Sequence, residues 1–203
     1  MAKEIKYFKD LGPWMEEVYG KEMTDRIVQK ALARYDELVK ENADEPEAWH
    51  MHTLERIYPS IANFDAQLSE GLTRAEAAQC VIDYYHWRSE SMAKMIQKLM
   101  KIPGLYKKIP ALFSKLMPKM FGEDCGFKLH IYDTPKNVMR VDAEECLYFN
   151  ICSKYGCPEI VPGFCEADDI CYGNMHPKLL WLRTKTIGKG GDVCDFNIQL
   201  AEE

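Results

Sequence analysis

Nowhere in this 203-residue chain do apolar residues run uncharged for the roughly 18 positions of a membrane-spanning helix, and the opening MAKEIKYFKD offers no core for a secretory leader. Both absences lead to the expectation of a cytoplasmic protein. An excess of positive charge is missing as well. The formal net charge is -6 and the sequence pI about 5.5, so the overall balance draws neither nucleic acid nor anionic lipid. The expected partner is a small-molecule substrate, with no nucleic acid and no membrane span, and a homo-oligomer is left open. Internal repeats and low-complexity tracts are also missing, which excludes solenoids and long linkers. What is there is ordinary globular composition, 47% hydrophobic and 29% charged, enough to bury a core as a single domain over residues 1–203.

Apolar spacing divides the chain. From Thr24 to Asn42, Ile27, Val28, Ala31, Leu32, Tyr35, Leu38 and Val39 recur at helical period. A second helix is expected from Pro46, closed by Pro59, and a short third one ends at Gly71. Thr73 with Glu76 forms a capping-box pattern ahead of a long helix whose stripe runs from Ala77 to Leu99, with His86 and Trp87 near its middle. Between Ser91 and Gly122 there is no acidic residue, while seven lysines from Lys94 to Lys119 alternate with apolar residues. Such a segment suits a membrane surface, a lid, or a solvated lysine edge over a packed face, and Pro103, Pro110 and Pro118 should break it into short pieces. After Gly126 the period becomes alternating. Phe127–Tyr132, Cys146–Ile151, Leu179–Ile187 and Val193–Leu200 read as strands, the last two joined by GKGGD. The expected fold is α+β: a helical part over residues 1–122 packed on a mainly antiparallel sheet within 123–203.

Seven of the eight cysteines lie beyond residue 122, and Cys80 alone lies before it. In a reducing compartment these are expected as free thiols rather than disulfides. The densest polar cluster is YGCPEIVPGFCEADDICYGNMHP. Pro162 suits the first turn of a helix that would set Cys165, Asp168, Asp169 and Tyr172 on one side. Cys157, Cys165 and Cys171 are spaced by seven and five residues, wider than the close pairs of zinc knuckles or iron–sulfur motifs, so no metal and no cofactor is expected. A thiolate at Cys165 would need a base or positive field from His176, Arg183 or the helix amino terminus; otherwise the residue is a small buried hydrophobe, as Cys194 reads from its alternation with Phe196 and Ile198. On WLRTKT, Arg183 and Trp181 share a side, where a guanidinium can fork a carboxylate while the indole packs a ring.

From Tyr155 to Phe196, the runs GCPE, FCEADD and WLRTKTIGKGGDVCDF resemble the carboxy-terminal signature of the L-2-amino-thiazoline-4-carboxylic acid hydrolase family. The matching positions are Gly156, Cys165 with Asp168 or Asp169, Arg183-Thr184, Thr186, Gly190, Gly191 and Cys194-Asp195-Phe196, about a fifth of the chain. The ending, a glycine-containing turn followed by Cys-x-Phe, also resembles 4-vinyl-reductase-type ligand-binding domains. The first resemblance implies a hydrolase that opens a cyclic isothiourea to a carbamoyl-cysteine. Residue chemistry then casts Asp168 and Asp169 as acid and base, Cys165 as nucleophile or packing residue, and Arg183 with Trp181, Thr184 and His176 as the substrate-binding groups. The rival readings are a non-catalytic small-molecule-binding or sensor module, and a metal-binding protein using the carboxy-terminal cysteines.

Overall fold

The computed structural model describes residues 5–202, which divide into two compact units: residues up to 84 with 151–160, and residues 85–150 with 161 onward. The first unit is helical. It opens with α1 (Lys6–Tyr19), a helix beyond those expected from the sequence, in which Tyr7, Phe8, Leu11 and Met15 form one buried stripe. Pro13 lies inside this helix. Next comes α2 (Lys21–Glu41), as its apolar period requires, with Ile27, Ala31, Tyr35 and Leu38 buried.

After Pro46 the chain makes a 3-10 turn (Glu47–Trp49), a single α-turn α3 (His50–His52), a π-turn (Thr53–Ile57) and α4 (Tyr58–Ser69) without a break. Pro59 therefore does not close a helix. The Tyr58 N–H reaches back to the Thr53 carbonyl, the wide π register, and the missing N–H of Pro59 falls where the chain passes from that register into α4. Glu45 anchors this junction by accepting from the Thr53 hydroxyl at 2.6 Å and from the Tyr58 hydroxyl. The capping box forms as read: Glu76 accepts from the Thr73 amide at 2.8 Å and starts α5 (Arg74–Met100).

The second unit holds the sheet and the later part of α5. Lys128–Ile131 (β1), Val138–Glu145 (β2), Leu179–Trp181 (β3) and Cys194–Leu200 (β4) make an antiparallel sheet in the order β1-β2-β4-β3. The α+β class is thus as expected. Met139, Val141 and Ala143 stand opposite Ile198, Phe196 and Cys194, and this face meets α6 (Ile109–Met120). Burying a side chain such as Met139 or Ile198 completely stabilises the fold by about 1.5–3 kcal/mol.

Three assignments change. Residues 146–151 are not a strand; Leu147–Lys154 is α7, because Leu147, Tyr148, Ile151 and Cys152 are the buried positions, and that set has helical spacing. The strand beside β1 is instead Val138–Glu145. The Leu179–Ile187 strand stops at Trp181, since Thr184 and Lys185 turn their amides to the Asp195 side chain rather than to a neighbouring strand. Of the three prolines expected to break the lysine-rich segment, only Pro103 lies in a break, between α5 and α6; α6 carries Pro110 in its first turn and Pro118 near its end, where few hydrogen bonds are lost. Among the described residues no helix is long and apolar enough to cross a membrane.

Candidate active site

The site is built wholly within the second unit, from α8 (Val161–Tyr172) and the chain after β3. Pro162 lies in the first turn of α8, and the helix buries Val161, Gly163 and Cys165 while leaving Asp168 and Asp169 half-exposed. Arg183 reaches back from the end of β3. Its side chain is only 2% exposed, yet its guanidinium is well supplied with acceptors: Asp169 at 2.7 Å, Asp168 at 3.3 Å, and the Cys165 carbonyl. The rings of Trp181 and Phe196 flank it at 5.3 Å each. Burial disfavours the charge on Arg183, but the two carboxylates outweigh it and hold the group above its ordinary value. The Trp181 indole donates to Asp169 at 2.8 Å, so both Asp169 oxygens are fixed in place.

Past Arg183 the chain enters a tight turn over α8. Ile187–Lys189 is a 3-10 turn ending at Gly190, whose φ of 85° lies in the left-handed region that glycine adopts without strain. Gly188 is needed for a different reason. A β-carbon there would sit 2.6 Å from Val161 Cγ1 and 2.9 Å from Cys165 Sγ, so the turn can close over the thiol only without a side chain. A pocket of about 340 Å³ opens beside this turn. Asp169, Arg183, Thr184, Lys185 and Thr186 line one part of it, and Lys189, Gly190 and Gly191 the rest.

Thr186 is 4% exposed, and its hydroxyl is one of the buried side-chain atoms without a hydrogen-bond partner among the described residues. It lies beside the Cys165 thiol without meeting it in a well-formed hydrogen bond. Leaving a buried hydroxyl without a full hydrogen bond costs about 1–3 kcal/mol.

The thiols are poor nucleophiles as they stand. Burial pushes Cys165 up, and the neighbouring Thr186 hydroxyl, Arg183 and Lys189 only partly reverse it. Burial also raises Cys194 to about 11 and Cys146 to about 12. All eight cysteines are free. Among the described residues no three His, Cys, Asp or Glu side chains converge as a metal-ligand set.

Of the residues singled out by sequence, Cys165, Asp168, Asp169, Trp181 and Arg183 come together, and Thr184 joins Asp169 and Arg183 at the pocket while donating its hydroxyl to Asp195 at 2.6 Å. His176 does not join them: its ring stacks on Tyr106 at 4.0 Å and its Nδ1 accepts the Lys178 amide. Sequence reasoning missed a second charged group, one turn before Asp169 on α8. Glu166 binds His86 Nε2 at 2.6 Å and Lys189 at 2.9 Å, linking α5 to the pocket turn. Burial would raise the Glu166 carboxyl, but Lys189 and His86 bring it below its ordinary value. Eighty residues separate His86 from Glu166 in the chain, so no local pattern announces the pair.

Residues 50–198 match the family model described as L-2-amino-thiazoline-4-carboxylic acid hydrolase. No curated protein and no solved structure matches the chain.

Proposed function

The chain belongs to the L-2-amino-thiazoline-4-carboxylic acid hydrolase family, and on that premise we propose that it opens a small cyclic isothiourea carrying a carboxylate, such as 2-amino-thiazoline-4-carboxylate, with water as the nucleophile. The observation that carries this reading is the pocket beside the IGKGG turn, where two lysines and one fixed carboxylate line the same space.

The reacting carbon of such a ring is bonded to two nitrogens and one sulfur. Water adds its oxygen to that carbon as Asp169 takes one of its protons and passes it to the ring nitrogen, whose double bond to the carbon opens; the carbon–sulfur bond then breaks, the proton on the added oxygen passes to the leaving sulfur, and that oxygen becomes the carbonyl of a carbamoyl-cysteine. Each Asp169 oxygen accepts one bond from Trp181 or Arg183 and retains a further lone pair for this work. Because the Arg183 guanidinium is engaged by the protein's own carboxylates, its task is to position Asp168 and Asp169. The substrate carboxylate falls to Lys189, with Lys185 beside it; each also pairs with a protein carboxylate, Glu166 or Asp192, but both side chains are about half exposed and open to a ligand, as the buried Arg183 is not. Cys165, buried under Gly188 with its thiol held protonated, packs the floor and does not attack.

Incubating the protein with 2-amino-thiazoline-4-carboxylate and titrating free thiol tests the assignment. Release of one thiol per ring consumed, with carbamoyl-cysteine as product, is expected. Binding without thiol release would instead make the pocket a ligand-binding module.

A further inference from the structure

The lysine-rich segment presents an ordered pattern around its helices that the pocket does not use. Along α5 the residues facing the second unit's core are Ala93, Ile96 and Met100. One residue back from each, a step of about 100° around the helix, come Met92, Met95 and Leu99, which are exposed. One further residue back come Ser91, Lys94 and Lys98. The same order appears in α6: Phe113 and Met117 pack inward, Leu112 and Leu116 are exposed one residue back, and Lys115 follows. Each helix therefore shows a buried stripe, then an exposed apolar stripe, then lysine. Ile102 extends the apolar stripe beyond α5 at 53% exposed.

We propose that these lysine-bordered stripes of the second unit dock on an anionic lipid surface. Apolar side chains on two helix faces, bordered by long basic side chains that snorkel, suit the boundary between headgroups and acyl chains. All seven lysines from Lys94 to Lys119 are exposed and make no ion pair among the described residues, and the stretch has no carboxylate of its own. The chain as a whole is -6, so an anionic surface attracts this face and repels the remainder, which sets the orientation. A second copy of the chain is the poorer occupant, because a two-fold contact through this face brings one copy's lysine rows against the other's. No membrane-spanning segment is involved, and the docking is independent of the hydrolytic reading of the pocket.

Co-sedimentation of the full chain with vesicles of phosphatidylcholine, with and without phosphatidylserine, tests the proposal. Binding is expected only with phosphatidylserine and should weaken as salt rises. Lys94→Glu with Lys98→Glu should weaken it by about tenfold or more, since each basic residue near a charged surface contributes roughly a factor of five. Met95→Ser with Leu99→Ser, both at exposed positions, should weaken it as well; circular dichroism of each variant establishes that the fold is kept. Failure to bind phosphatidylserine vesicles, or equal binding by folded charge-reversal variants, would overturn the proposal. So would sedimentation showing that the intact chain self-associates through these residues in preference to binding vesicles.

Discussion

Replacing Gly188 with alanine tests how tightly the turn closes on α8. The new methyl would lie 2.6 Å from Val161 Cγ1 and 2.9 Å from Cys165 Sγ. Val161 is fully buried and β-branched within α8, with little rotamer freedom to yield, and Cys165 is buried beside it. Overpacking of this kind costs about 1–3 kcal/mol. Against it stands the reduced freedom of the unfolded chain, which favours alanine over glycine by roughly 0.4–1 kcal/mol. With both neighbours buried the overlap wins, for a net loss of about 1–2 kcal/mol. In a chain this long that lowers the melting temperature by roughly 2–8 °C, at about 2–4 °C per kcal/mol. Gly12, inside α1, supplies the control: a β-carbon there meets nothing within 4 Å, so Gly12→Ala should raise the melting temperature. Differential scanning calorimetry of both variants reads the two signs. A Gly188→Ala protein as stable as the parent would refute the close approach.

Three further outcomes follow from the site. Lys189→Met should raise KM for 2-amino-thiazoline-4-carboxylate more than it lowers kcat, and equal effects on both would move the carboxylate contact elsewhere. Arg183→Leu should lower kcat by releasing Asp168 and Asp169, while Arg183→Lys, which restores charge without the fork, should recover only part of it; full recovery would contradict the positioning role. Asp195 has its carboxyl held below its ordinary value, because the Thr184 hydroxyl and the Lys185 and Thr184 amides outweigh the upward push of burial. A lowered folded-state value contributes stability that is present above the unfolded carboxylate value of about 3.9 and is lost as pH falls through the folded one. Urea midpoints for Asp195→Asn should accordingly lie below the parent at neutral pH and converge on it in acid.

How far the sequence carried the fold depended on whether one pattern had one reading. Thr73 with Glu76, and Pro162 ahead of 3- and 4-residue spacings, are local devices, and both helices start where those residues put them. Leu147, Phe149 and Ile151 satisfied alternation as well as helical spacing, because Tyr148 and Cys152 are apolar too; only packing, which buries Leu147, Tyr148, Ile151 and Cys152, distinguishes the two. β2 escaped notice because its inward residues, Met139, Val141 and Ala143, alternate with Arg140 and Asp142 but include only one strong strand former.

At the site, the Asp168–Asp169–Arg183 grouping was legible because a helix and the chain following it bring it together over few residues. The His86–Glu166–Lys189 chain was not, since it depends on α5 meeting α8. His176 lies close in sequence to the group, but its stacking on Tyr106 holds it elsewhere. Nothing in the sequence marked the difference. For the lysine-rich segment the sequence supplied the composition, and the helical phase of Met92, Met95 and Leu99 decided that the apolar stripe is exposed.

The most direct test of the account is the turnover of 2-amino-thiazoline-4-carboxylate, read as thiol release, by the Asp169→Asn and Cys165→Ala proteins side by side. Water attack guided by Asp169 predicts a loss of about 10²–10⁴ in kcat for the first and a change under about tenfold for the second. Near-complete loss with Cys165→Ala in a folded protein, or full turnover with Asp169→Asn, would contradict it.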